Sequence, residues 1–105
     1  MADDFSALPG GELVERGLAE LRRGLQTSHA LLVAIAAPNL RRLGFALPGP
    51  DELPDTPELS LYRLLRRERP KTAYVEYNAL IRRLVSFERA LERERASAAR
   101  RAGAI

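Results

Sequence analysis

From Val14 onward, apolar residues recur at alternating intervals of four and three: Val14, Leu18, Leu21 and Leu25, then Ser28, Leu32 and Ile35. That spacing keeps one face of an α-helix apolar and forms a coiled-coil-like seam. Leu13, Leu31, Gly17 and Gly24 lie in the same arc, about 160° of the helical wheel. Arg16, Arg22, Arg23, Gln26 and Thr27 occupy the opposite face. Beyond residue 29 that face turns into Ala30, Val33, Ala34 and Ala37, so this half is apolar all round and has to be covered on every side. Pro38 is expected to kink or break the helix, with one more turn before Gly44 ends it. The pattern predicts one helix over residues 12–44, preceded by a loose segment, residues 1–11.

A second seam runs through Ala73, Tyr77, Leu80, Leu84, Phe87 and Leu91, widened by Tyr74, Ile81 and Val85. It predicts a long C-terminal helix over residues 72–102, its end fraying in Ala-rich sequence. Between the seams, residues 45–56 hold Pro48, Pro50 and Pro54 with Asp51, Glu52 and Asp55, a stiff acidic connector. Thr56-Pro57-Glu58 then reads as N-cap, first-turn proline and first-turn acid. A short helix over residues 57–69 follows, with Leu61, Tyr62, Leu64 and Leu65 opposite Arg63, Arg66 and Arg67, closed by Pro70.

The expected fold class is therefore all-α, one domain: a long antiparallel helical hairpin plus one short helix. A 13-residue helix spans about 20 Å, half the length of its long neighbours. On that reckoning much of both seams stays exposed, and exposed strips of this size mark association surfaces. The three-helix bundle is expected to assemble as a homodimer, or with a partner helical protein, through Val14, Leu18, Leu21, Leu25, Leu32, Ile35, Tyr77, Leu80, Leu84, Phe87 and Leu91. The competing arrangement has the connector lying on the seam, capping it with Phe45, Leu47 and Leu53.

Composition narrows the chemistry. The chain has no Cys, which removes disulfides, thiolate metal sites and cysteine nucleophiles, and it has one His. No apolar run approaches the roughly 20 residues needed to span a bilayer. The acidic start, Met-Ala-Asp-Asp, is unlike a signal peptide, so a cytoplasmic location is expected. Charge alternates in blocks of −4, +4, −4 and +7 over residues 1–20, 21–44, 45–62 and 63–105. Acidic segments are thus expected to fold against basic ones, within one chain or between two.

Arg82, Arg89, Arg93 and Arg100 align on one side of the last helix over about 27 Å. Arginines so spaced can follow a phosphate backbone, with affinity falling steeply in salt; the alternative is a face paired with the acidic connector. Tyr74, Asn78 and Arg82 form a polar row suited to an anion or to a structural network. Arg23 and His29 resemble, in spacing, the Arg-x4–6-His motif of HEPN-type ribonucleases, which implies a dimeric helical bundle and a general acid/base histidine. On a wheel, however, the two residues point in different directions.

No catalytic, metal or cofactor site and no small-molecule substrate is expected. The leading expectation is a non-enzymatic interaction or assembly module; a nucleic-acid-associated protein comes second and a HEPN-like ribonuclease toxin third.

Overall fold

The computed structural model describes residues 7–103, and these form four helices: α1 (Gly11–Arg22), α2 (Ser28–Arg42), α3 (Pro57–Glu68) and α4 (Ala73–Gly103). A single 3-10 turn, Pro50–Glu52, interrupts the connector, and no strand occurs among the described residues. The expected looseness of residues 1–11 lies outside the described residues as far as position 6. The all-α class holds. Its leading edge differs: the helix expected over residues 12–44 is two helices folded back on each other.

Gly24 makes the fold-back. It adopts φ +78° just past the last turn of α1, and its N–H bonds the carbonyl of Leu21 at 2.9 Å. The next N–H, of Leu25, reaches back to Glu20 at 3.0 Å. This pair of bonds is a Schellman closure, which satisfies carbonyls that the helix end would otherwise leave open. Gly44 closes α2 in the same way, at φ +99°, with Gly44 bonded to Arg41 and Phe45 to Leu40. Thr27 then starts α2 by accepting a hydrogen bond from the N–H of Ala30 at 3.1 Å. The seam from Val14 to Ile35 is therefore not one continuous stripe, and Leu25, in the turn, is 37% exposed.

Folding back answers the problem of the apolar half-helix. Ala30, Leu31, Leu32, Val33, Ala34, Ala36, Ala37 and Leu40 are all buried, covered by α1 on one side and α3 and α4 on others. Gly17 permits the close α1–α2 approach, because a Cβ there would collide with the main-chain carbonyl of His29 and with Val33. Pro38 does not end α2, which continues to Arg42. The ring removes one intrahelical hydrogen bond there, but packing on neighbouring elements carries the helix past it.

α3 and α4 match their expected positions within a residue or so. Arg69 and Thr72, on either side of Pro70, both engage Glu76 in the first turn of α4, at 3.0 and 2.5 Å. Tyr62 meets Tyr77 edge-to-face at 5.8 Å, joining the two helices. α4 spans about 46 Å and projects past the bundle. The molecule is accordingly elongated, 54 × 28 × 19 Å, with a radius of gyration of 14.6 Å.

The premise for a second copy changes here. Val14, Leu32, Leu84 and Phe87 are each at most 3% exposed within one chain. Leu18, Leu21 and Leu91 are buried too, while Ile35, Tyr77 and Leu80 pack on the core edge. Of the eleven expected seam residues, Leu25 alone is exposed. The hairpin supplies a fourth helix that the periodicity had fused into the first, and that helix does the covering assigned to a mate.

Candidate functional site

The core gives chemistry little to work with. Among the described residues no polar or charged side chain is buried, and no group of three or more His, Asp or Glu is placed to hold a metal ion. Among the described residues no helix is long and apolar enough to cross a membrane. The informative groups are on the surface, and the outer face of α4 holds the largest set.

α4 presents Ala73, Leu84, Phe87, Ala90 and Leu91 to the bundle. A 100° turn per residue sends Arg82, Arg89, Arg93 and Arg100 to the far side, and all four are exposed. None of the four forms an ion pair among the described residues. The acidic connector, expected as a possible counter-charge, runs along α2 instead. Leu47 and Leu53 pack on the core edge, Arg41 donates to the carbonyl of Pro48, and Leu53, Pro54 and Asp55 line a groove with Ile35, Pro38 and Arg41. Phe45 is buried against the core and beneath the guanidinium of Arg95, 5.5 Å from its ring centre. The connector thus does part of the capping proposed for it, on α2.

Two acids beside the stripe, Glu88 and Glu92, are already engaged. Asn39 donates from Nδ2 to Glu88 at 3.0 Å and to Glu92 at 3.4 Å. Arg42 donates to the same Glu92 oxygen at 2.8 Å. This junction between α2 and α4 turns both carboxylates toward the bundle and supplies a cation for Glu92, leaving the arginine side of α4 without their opposition.

A second polar cluster spans the α1–α2 turn. The Thr27 hydroxyl donates to Glu20 while accepting from Ala30, and Arg16 reaches the other Glu20 oxygen at 3.2 Å. The hydrogen bond from Thr27, helped by Arg16, holds the Glu20 carboxyl below its usual value. His29 lies nearby, partly buried; burial first, then the Arg16 charge, lowers its pKa, with Arg83 adding and Glu20 opposing. Arg23 is absent from that surrounding. It is the exposed C-cap of α1, so the structure does not assemble the Arg23–His29 pair that the spacing suggested.

The Tyr74–Asn78–Arg82 row is on α4 as expected, with Tyr74 68% exposed and Asn78 half-buried. Sequence reasoning missed Arg83 and Ser86, which lie beside Arg82 against the Pro9–Gly10 turn. Their spacing carried no signal, because the turn that meets them is more than seventy residues away in the chain.

No protein-family model matches the chain, and no curated protein or solved structure matches it.

Proposed function

We propose that this chain is a non-enzymatic binding module whose working surface is the outer face of α4, and that the surface engages the phosphate backbone of a nucleic acid. The observation that carries the reading is the exposure of Arg82, Arg89, Arg93 and Arg100 on one side of a helix, with the neighbouring Glu88 and Glu92 engaged by α2. A row of guanidiniums on a rigid rod releases counterions when it meets regularly spaced phosphates. The helix adds no base-reading element, so the expected binding is independent of sequence.

Filter binding or fluorescence anisotropy over a salt series tests this. If all four arginines meet phosphates of duplex DNA, log K against log salt should fall with a slope of about −3.6. Absence of retention at low salt, for duplex and single strands of DNA and RNA alike, overturns the reading.

A second reading, docking to a protein or to another copy, is favoured by Tyr74 and Val75, adjacent on α4 and 68% and 66% exposed. Sedimentation equilibrium at micromolar concentration tests self-association: twice the mass of 11.7 kDa supports it, and a single copy refutes it.

A further inference from the structure

Where the Pro9–Gly10 turn meets α4, a cavity of about 380 Å³ opens to solvent, lined by Pro9, Gly10, Ala79, Arg82, Arg83 and Ser86. The wall is built by close backbone packing. Gly10 adopts φ +73°, and a Cβ on it would stand 3.0 Å from the carbonyl of Arg83 and 3.5 Å from the Cβ of Phe87. The turn therefore approaches α4 closely, and Arg82 and Arg83 border the space beside it.

We infer that this notch binds one phosphate group together with the sugar that carries it, as in a single nucleotide unit of a strand or in a free nucleotide. Arg82, Arg83 and Ser86 line the space, and none of the six lining residues is a carboxylate. Neither arginine forms an ion pair among the described residues. Adjacent cations favour an anion, and guanidinium forks match phosphate oxygens two at a time. The volume lies near the lower end of the range for small-molecule sites, about 300–1,000 Å³, which leaves room beyond the phosphate. Pro9 and Ala79 supply the apolar wall for a sugar. No aromatic ring lines the space, so a base gains no stacking platform and goes unread.

The helix terminus of α1 is not what carries this. Glu12 sits in its first turn and works against an anion. The site shares Arg82 with the stripe, yet it makes a separate demand: a discrete, saturable place for one phosphate, rather than a rod along which many phosphates lie.

Amide chemical shifts of the full chain, titrated with inorganic phosphate and then with a nucleoside monophosphate, test the assignment. Saturable shifts at Gly10, Gly11, Arg83 and Ser86 are expected, tighter for the monophosphate than for phosphate alone. The exposed pair Arg82→Gln and Arg83→Gln should weaken both at least tenfold, and Arg66→Gln with Arg67→Gln, exposed on α3, should leave both unchanged. A 5′-phosphorylated oligonucleotide compared with its 5′-hydroxyl form tells a strand end from an internal unit. Both should shift the notch if an internal phosphate seats there, and only the first if it takes an end.

Shifts that fail to saturate, or an Arg82/Arg83 variant that binds phosphate like the parent, overturn the notch. Loss of nucleic-acid retention with the phosphate shifts intact would sink the stripe reading and leave the notch standing.

Discussion

Gly17 lies so close to the main-chain carbonyl of His29 that no side chain fits between the helices carrying them. The obstacle is backbone, which cannot rotate aside. Gly17→Ala should therefore force α1 from α2 and destabilise the chain by about 1–3 kcal/mol, the usual range for overpacking. Gly24 is a different case: nothing stands within 4 Å of its missing Cβ, and only its positive φ resists substitution. Gly24→Ala should lose about 1–2 kcal/mol, the left-handed penalty. Urea denaturation of both variants checks the assignment, and the stronger test is structural: Gly17→Ala should shift resonances along both helices, Gly24→Ala only near the turn.

Phe87 and Leu32 are fully buried in one chain. Truncating them should lower stability by about 3–5 kcal/mol for Phe87→Ala and about 2–5 for Leu32→Ala. Because one chain covers these residues, the thermal midpoint of the parent should not move with protein concentration. A midpoint that climbs with concentration would show that a second copy completes the core after all.

Acid should weaken the fold in two steps. The folded pKa of His29 lies below its ordinary 6.5, so the unfolded chain takes the proton first. The stability this represents is full above that value and declines as pH falls through the folded pKa. Glu20, lowered from 4.5 chiefly by Thr27, contributes above 4.5 and loses its share as pH falls through its depressed folded value. Thermal melts between pH 7 and pH 3 should show both declines. His29→Gln should flatten the upper one, and Thr27→Val the lower one.

Glu92 separates the arginine stripe from its own acidic neighbourhood by pairing with Arg42. Both side chains are substantially exposed, so the pair adds little to stability, about 0–1 kcal/mol. Its expected influence is on binding. Arg42→Ala frees a carboxylate one residue from Arg93 and should weaken nucleic-acid retention. Glu92→Gln should strengthen it. Anisotropy titrations at one fixed low salt concentration compare the two, and identical affinities would mean that Glu92 does not face the bound phosphates.

Single substitutions along the stripe separate phosphate contacts from bystanders. Arg93→Gln should lower the salt slope by about 1 without changing preference among sequences. An unchanged slope with reduced affinity would place Arg93 outside the phosphate track.

The patterned elements were legible because their signals are local. Pro57 marks the start of α3, although Thr56 before it makes no side-chain capping bond; Gly44 closes α2, and the spacing from Ala73 to Leu91 sets the buried side of α4, which in turn puts Arg82, Arg89, Arg93 and Arg100 outside. The turn at Gly24 did not stand out from the periodicity, although Arg22 and Arg23 end one helix before it and Thr27-Ser28 start another after it. It was masked because the three-four spacing happens to keep its phase across the turn, so that Leu25 and Ser28 prolong a stripe belonging to two helices.

Sequence alone thus determined the helical class, the side of α4 that carries charge, and the span of α3, all properties of neighbours along the chain. Tertiary structure alone decided that α1 doubles back to cover α2, that Glu92 faces Arg42, and that Pro9–Gly10 meets Arg82 and Arg83. Those outcomes depend on which surfaces meet in space, where a close fit such as that of Gly17 on His29 selects among packings that periodicity leaves equivalent.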